Sequence, residues 1–190
     1  MEIHYGNLTD TSRYIDNHSA ETLEAKRPQY EGYMRVIRKF HKLTPSSRML
    51  EVGTGTGWFP IQCKLDGYQC RGLEISTQLI EFAKQYGARY NVEPDIALGN
   101  LEDCDIGENA WDVIVASNVF EHVEHWKVGV EKIYRGLKPG GMMYFESTNK
   151  FSFTSGEYSG VPLYGWLPDS ARYALRKRVH GDDIMQLGID

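Results

Sequence analysis

Apolar residues recur along this chain with two alternating periods, one typical of helices and one typical of buried strands. The segment 111–116 (WDVIVA) is almost continuously apolar, which is typical of a strand covered on both faces. A helical stripe precedes it, with apolar side chains three or four residues apart at Tyr30, Tyr33, Ile37 and Phe40. Pro28 is expected in the first turn of that helix, where its missing N–H is tolerated.

Downstream of this helix, strand and helix patterns alternate. Short apolar runs predict strands at 49–52, 68–74, 95–98, 111–116 and 142–147. Helices are predicted at 58–65, from the N-cap Ser76 to Gly87, and along the stripe Trp126, Val130, Ile133 and Leu137, which Pro139 ends. We therefore expect an α/β fold: a Rossmann-like, doubly wound, mostly parallel sheet with helices on both faces. Ligands of such sheets bind at the carboxyl ends of the strands.

Composition and charge narrow the classes of function. With 21 Lys and Arg against 26 Asp and Glu, the net charge of −5 disfavours a broadly basic nucleic-acid binder. Cys63, Cys70 and Cys104 contain no CxxC pair, which argues against a disulfide framework or a zinc site and favours a reducing compartment. No run approaches the roughly 18 apolar residues of a membrane span, and the N-terminus lacks the features of a signal peptide. We therefore expect a cytoplasmic protein.

A glycine-rich turn follows the first predicted strand, in the segment LEVGTGTGW. Gly53, Gly55 and Gly57 alternate there, and glycine lets the backbone turn tightly and lets a ligand approach the main chain. The dinucleotide pattern GxGxxG fails because Trp58 stands where its last glycine would be, and no Gly-Lys-Ser/Thr indicates a P-loop. What remains is an acidic residue, Glu51, followed by GxGxG.

This pattern resembles the first motif of the class I S-adenosylmethionine-dependent methyltransferases, in particular those acting on small molecules and quinone precursors. Glu74 ends the second strand and Gly99–Glu102 follows the third, in the same order as in that family. WDVIVASNVFEHV is similar to the family's fourth-strand motif, and LKPGGMMYFESTN to the segment after it. The resemblance covers about residues 45–150 and implies S-adenosylmethionine as the cofactor.

The resemblance also implies which residues hold the methyl donor. Glu74 would accept hydrogen bonds from the ribose hydroxyls, as acidic residues do in other nucleoside-binding α/β folds. The loop Asn100–Glu102 would flank the adenine, although Asp is commoner than Asn at position 100 in the family. The expected cofactor-binding residues are Glu51, Gly53, Thr54, Gly55, Gly57, Glu74, Ile75, Asn100, Leu101, Glu102 and Ser117.

The loop after the fourth strand should face the methyl acceptor. His122 is the candidate catalytic base, because imidazole titrates near neutral pH and a hydroxyl acceptor needs a base. Glu121 and Asn118 lie beside it in the sequence and complete the expected catalytic group. Alternatively, Glu121 and His122 could only cap and hydrogen-bond the loop into the next helix.

A metal-dependent reaction is the competing interpretation of this loop. Similar methyltransferases of quinone precursors and of small-RNA 3′ ends place ExxEH at this point to hold a divalent ion. Here Asn118 stands where the first Glu would be, and a neutral amide is a poorer ligand than a carboxylate for a hard cation. The sequence therefore predicts no metal site.

The predicted function is S-adenosylmethionine-dependent methyl transfer to a small-molecule acceptor, at a hydroxyl oxygen. RNA methylation is one alternative, which the net charge of −5 disfavours because phosphate contacts need clustered Lys and Arg. A non-catalytic nucleoside-binding domain that keeps the fold is the other.

Three regions are expected: an N-terminal arm and helix over the site (1–44), the donor-binding core (45–150), and an aromatic loop with a basic helix (151–190). Aromatic residues of the outer regions, among them Tyr14 and Trp166, could form a wall for the acceptor or pack a lid onto the sheet. Family members usually complete a seven-stranded sheet, so we expect C-terminal strands to be missing. The exposed edge of the fifth strand could then be covered by missing residues or by a second copy of the chain.

Overall fold

The computed structural model describes residues 11–147 and 163–180. The helices are α1 (Ser12–His18), α2 (Leu23–Phe40), α3 (Trp58–Leu65), α4 (Thr77–Ala88), α5 (Trp126–Gly136) and α6 (Asp169–His180). The strands are β1 (Arg48–Val52), β2 (Gln69–Glu74), β3 (Asp95–Leu98), β4 (Trp111–Ser117) and β5 (Leu137–Glu146). Short 3₁₀ turns span Phe120–His122 and Tyr164–Trp166. Most of the predicted aromatic loop, including residues 148–162, lies outside the described residues.

The five described strands form one parallel sheet in the order β3-β2-β1-β4-β5. The predicted Rossmann-like α/β fold is therefore confirmed. Val52, the last residue of β1, pairs with Leu73 of β2 and with Ala116 of β4. This register brings the loops that follow β1, β2 and β4 to the same edge of the sheet, where ligands of such folds bind.

Helices cover both faces of the sheet, and β4 alternates its side chains between them. Val113 and Val115 pack in a cluster with α2 and α3, whereas Ile114 and Ala116 pack in a second cluster that includes Ile133 of α5. This arrangement explains why the sequence of β4 is almost continuously apolar. Among the helices that the structure describes, none is both long enough and apolar enough to span a membrane.

Helix α2 begins earlier than predicted. It begins at Leu23, because the Thr22 hydroxyl accepts a hydrogen bond from the Ala25 N–H at 3.2 Å and caps the first turn. Pro28 therefore lies inside the helix rather than in its first turn. The predicted stripe is buried except for Phe40, which is the last helical residue, about 80° around the axis from Tyr30, and is 69% exposed.

The buried face of α5 differs from the predicted stripe. Ile133 is buried as expected, but Trp126 is 52% and Val130 42% exposed. The helix packs closely on the loop that follows β3 through its glycines: a Cβ on Gly129 would lie 2.9 Å from Leu101 Cδ2, and one on Gly136 would lie 2.9 Å from Ile106 Cδ1. Hydrophobic periodicity missed this face because a glycine carries no apolar side chain to count.

The junction between α5 and β5 also differs from the prediction. The helix ends at Gly136, and Leu137 already begins β5, so Pro139 lies within the strand. The pairing of β4 with β5 is irregular between Trp111 and Val113, opposite this start of β5. An irregularity of this kind accommodates a proline, which cannot donate to a ladder hydrogen bond.

Candidate functional site

The turn between β1 and α3 uses three glycines in the left-handed region of backbone space. Their φ values are +65° at Gly53, +54° at Gly55 and +75° at Gly57, and Gly57 is the N-cap of α3. A Cβ on Gly53 would lie 2.3 Å from Val119 Cγ2, so only glycine lets the loop after β4 pack directly on this turn. The loops after β1 and β4 are therefore in contact at the carboxyl edge of the sheet.

Glu51 is a buried carboxyl group at the end of β1. The Thr54 hydroxyl donates a hydrogen bond to its Oε2. Burial raises the pKa of Glu51 to about 8, the hydrogen bond from Thr54 opposes this shift, and the charge of Glu74 adds to it. A cationic group of a ligand would favour the ionised form of this carboxyl.

Glu74 joins the end of β2 to the glycine turn. Its Oε2 accepts a hydrogen bond from the Gly55 N–H at 2.8 Å, and its Oε1 accepts bonds from the N–H groups of Ile75 at 2.9 Å and Ser76 at 3.1 Å. Burial raises the pKa of Glu74, although these three bonds act in the opposite direction. Each carboxylate oxygen has two acceptor positions, so Oε2 can still accept a bond from a ligand hydroxyl.

The three predicted adenine-flanking residues have different neighbours in the structure, although the Asn100 Nδ2 donates a hydrogen bond to Glu102 Oε2 at 3.4 Å. Asn100 is buried, and its Oδ1 accepts a hydrogen bond from the Glu102 N–H at 2.9 Å. Leu101 belongs to the apolar cluster beneath α5. Glu102 turns toward that helix, where its Oε1 accepts a hydrogen bond from the N–H of His125, the N-cap residue, at 2.5 Å.

The predicted acceptor loop is fastened to the end of β5. Asn118 has a left-handed backbone with φ +52°, and its N–H donates to the Glu146 carbonyl at 2.8 Å. The Ser147 hydroxyl donates to Glu121 Oε2 at 3.0 Å. His122 is exposed on the 3₁₀ turn that follows. The carboxylate of Glu121 thus bonds to the residue that follows β5 rather than to the next helix, and the side chain of His122 is exposed.

A chain of polar side chains at the ends of β4 and β5 joins Ser117, which was predicted as a site residue, to residues that were not predicted. The Tyr33 hydroxyl lies 2.7 Å from Ser117 Oγ, which donates to Glu146 Oε2 at 3.2 Å. Gln29 donates to the Tyr33 oxygen at 2.8 Å, and the Tyr144 hydroxyl donates to Glu146 at 3.5 Å. Burial raises the pKa of Tyr33 to about 12, so this phenol is neutral at physiological pH.

The sequence carried a signal for only part of this chain. Glu146 could have been found as a carboxylate near the carboxyl end of a predicted strand. Tyr33 could not, because its position on an apolar helical stripe indicates a core residue and its hydroxyl meets Ser117 only in three dimensions. Within residues 11–147 and 163–180, no three His, Cys, Asp or Glu side chains converge as metal ligands would.

The residues at this edge of the sheet fit a ligand in which a nucleoside is linked to an amino acid. A buried acid at the end of β2 suits ribose hydroxyls, and a second buried acid, Glu51, suits an ammonium group. The glycine turn admits the ligand close to the main chain. S-adenosylmethionine combines these groups.

Comparison with known proteins agrees with this fit. The family model described as "Methyltransferase domain" matches residues 50–145, half of the chain. A ubiquinone biosynthesis O-methyltransferase of Nitrobacter winogradskyi is 31% identical over 123 residues, which cover 64% of this chain and 47% of that protein. A ubiquinone/menaquinone biosynthesis C-methyltransferase UbiE of Geotalea daltonii is 25% identical over 188 residues, covering 79% and 78%. The chain spans about half the length of several curated relatives that it matches.

Solved structures share the fold at lower identity. A Methanococcus maripaludis protein, solved as a candidate S-adenosyl-L-methionine-dependent methyltransferase, superposes with a TM-score of 0.62 at 22% identity, over 96% of this chain and 75% of that one. The [4+2]-cyclase SpnF superposes with a TM-score of 0.55 at 20% identity, over 75% and 50%. By its sequence match and its sheet topology, this chain belongs to the S-adenosylmethionine-dependent methyltransferase domain family.

Proposed function

We propose that this chain transfers a methyl group from S-adenosylmethionine to a hydroxyl oxygen of a small-molecule acceptor. The observation that carries the proposal is the contact between Val119 and the glycine turn at Gly53. It makes the acceptor loop and the donor turn neighbours, and methyl transfer requires the two reactants to be close and aligned.

The donor is held by residues at the ends of the first three strands. Glu74 accepts hydrogen bonds from the ribose hydroxyls, and Glu51 in its ionised form pairs with the ammonium group. Gly53, Gly55 and Gly57 allow the close approach, with Thr54 and Ile75 shaping the turn. Asn100, Leu101, Glu102 and Ser117 complete the expected binding residues.

When bound, S-adenosylmethionine supplies an activated methyl group. The chain's own residues position the acceptor hydroxyl and receive its proton. Glu146, oriented by Ser117 and Tyr144, accepts a hydrogen bond from a second polar group of the acceptor, which leaves the proton of the reacting hydroxyl to His122. His122 takes the proton, with Asn118 and Glu121 fixing the loop that carries it.

Relatives named as O-methyltransferases of ubiquinone biosynthesis support a small molecule and an oxygen acceptor. The cluster of acids at the carboxyl edge, Glu51, Glu74, Glu121 and Glu146, disfavours the phosphate backbone of RNA as a substrate.

A second candidate is a chain that uses the fold without methyl transfer. The structural similarity to the [4+2]-cyclase SpnF supports this candidate, because SpnF carries a different chemistry on the same fold. Turnover separates the two functions: release of the demethylated product in the presence of an acceptor occurs only under the first.

Calorimetry with S-adenosylmethionine and with NAD tests donor recognition. We expect binding of the first and not of the second, with about 2.7 kcal/mol of added stability at a hundredfold excess over Kd. Failure to bind either S-adenosylmethionine or S-adenosylhomocysteine would contradict the proposal. Transfer of a labelled methyl group to a panel of hydroxyl acceptors then tests the reaction, and an unchanged rate in His122→Ala would exclude His122 as the base.

A further inference from the structure

Helix α1 carries an aromatic side chain directly over the glycine turn. The Tyr14 hydroxyl would lie 3.2 Å from a Cβ placed on Gly55, and its ring atoms would follow at 3.8 Å. Gly55 is the central glycine of the turn and donates its N–H to Glu74. Tyr14 therefore reaches from the N-terminal arm into the space where the donor is expected to bind.

The arm is fastened where β2 gives way to α4. The Thr11 hydroxyl lies 3.3 Å from the Ser76 hydroxyl and also donates a hydrogen bond to Gln78 Oε1. Ile15 packs against the apolar cluster shared by α2, α3 and α4. These contacts hold α1 at the carboxyl edge of the sheet, where the methyl donor is expected to bind.

A second contact orients the Tyr14 ring. It stacks on His18 with 4.1 Å between ring centroids, and His18 Nδ1 lies 2.7 Å from the Tyr14 carbonyl oxygen. Tyr14 is 43% exposed as a whole residue, but partial desolvation of its hydroxyl raises its pKa to about 12, and the charges of Glu21, Glu74 and Glu51 add to the shift. The hydroxyl therefore keeps its proton at physiological pH and can donate a hydrogen bond.

The glycine turn itself has few backbone N–H groups that remain available to donate a hydrogen bond to a ligand. The N–H groups of Gly53 and Thr54 both bond to the Leu73 carbonyl, that of Gly57 bonds to the Thr54 carbonyl, and that of Gly55 bonds to Glu74. The nearby acids are acceptors for hydroxyl and ammonium groups, and they repel a ligand carboxylate. A ligand carboxylate at this turn therefore needs a hydrogen-bond donor from another part of the chain, and the Tyr14 hydroxyl is such a group.

We propose that Tyr14 is a donor-binding residue whose hydroxyl donates a hydrogen bond to the carboxylate of the amino-acid part of S-adenosylmethionine. In this proposal Tyr14 contacts the amino-acid end of the ligand, whereas Glu74 contacts the nucleoside end. The inference rests on the proposed function for the identity of the ligand.

Calorimetry with two ligands tests this role. S-adenosylhomocysteine contains the amino-acid part, whereas 5′-methylthioadenosine has the same nucleoside without it. Tyr14→Phe is expected to weaken the binding of S-adenosylhomocysteine about tenfold or more, because a hydrogen bond to a charged group is lost. The Kd for 5′-methylthioadenosine should change by less than about twofold. Tyr134→Phe, at a tyrosine that is 79% exposed on α5, is the matched control and should change neither affinity.

The outcomes separate the two proposals. If the parent binds neither ligand at millimolar concentration, the proposed function fails and takes this inference with it. If the parent binds S-adenosylhomocysteine and Tyr14→Phe binds it equally well, only the role of Tyr14 is overturned. An equal loss for both ligands would also overturn it, because it would indicate general damage to the arm rather than a contact with the carboxylate.

Discussion

The hydroxyl of Thr54 donates a hydrogen bond to the carboxyl of Glu51, and both side chains are buried at the carboxyl end of β1. This pair places a titratable acid with a pKa of about 8 under the donor turn. The hydrogen bond stabilises the ionised form, but burial outweighs it. The protonation state of Glu51 therefore depends on whether a cationic ligand group is present.

Stability without ligand should fall as pH rises from about 4.5 to about 8. In that window the folded protein retains a proton on Glu51 that the unfolded chain has lost, so each pH unit costs about 1.4 kcal/mol. Glu51→Gln lacks this dependence. Urea unfolding at pH 5.5 and 8.5 measures it: the parent should lose roughly 3 kcal/mol relative to the variant. Parallel curves for the two proteins would contradict the raised pKa.

Binding of S-adenosylmethionine should release a proton below pH 8. Pairing with an ammonium group favours the ionised Glu51 and drives its proton into solution. Calorimetry at pH 6.5 in buffers of different ionisation enthalpy counts the protons. We expect close to one for the parent and close to none for Glu51→Gln. Equal proton release by both proteins would place the ammonium group elsewhere.

The contact between the donor turn and the acceptor loop can be tested by adding a single methyl group. Gly53→Ala places a Cβ 2.3 Å from Val119 Cγ2 at a backbone φ of +65°, and should destabilise the fold by about 3 kcal/mol. Gly67→Ala is the matched control, since Gly67 has φ +80° and open space around it, and should cost about 1 kcal/mol. Chemical denaturation gives both values, and similar losses would mean that packing against Val119 matters little.

Loss of the Glu146 carboxylate should impair the reaction with the methyl acceptor without weakening the binding of the methyl donor. Glu146→Gln removes the carboxylate that Ser117 and Tyr144 orient, and is expected to lower kcat/KM about tenfold or more with an unchanged Kd for S-adenosylhomocysteine. Steady-state kinetics and calorimetry provide the two readouts. Glu131→Gln removes a surface charge of α5 as a control and should leave both unchanged. A parallel loss of donor affinity in Glu146→Gln would place Glu146 in the donor site instead.

Tyr33→Phe tests the remainder of that polar chain. The variant keeps the ring that packs against Phe59 and Tyr144 but loses the hydroxyl bonded to Ser117. Since Gln29 and Ser117 would lose a buried partner, we expect a loss of stability of about 1–2 kcal/mol together with a lower kcat/KM. Unchanged kinetics with reduced stability would reduce Tyr33 to a structural residue.

A structural element of this protein is predictable from the sequence when a few neighbouring residues determine it. The first four strands, the cap at Ser76 and the glycine turn each follow from a few neighbouring residues, and the structure has them within a residue of the predicted bounds. The start of α2 was misplaced because a strong N-cap at Thr22 preceded a proline that is tolerated within the helix. The face of α5 was misread because its close packing uses glycines.

The sequence by itself determined the alternation of strands and helices, the glycine turn, and the acids that end β1 and β2, because hydrophobic period and turn chemistry are properties of short segments. The tertiary structure alone decided which distant side chains meet. It brought Tyr14 over Gly55, joined Tyr33 to Ser117 and Glu146, and turned Glu102 toward α5. The physical reason is that sheet order and register set these encounters, and they depend on packing summed over the whole core rather than on any local pattern.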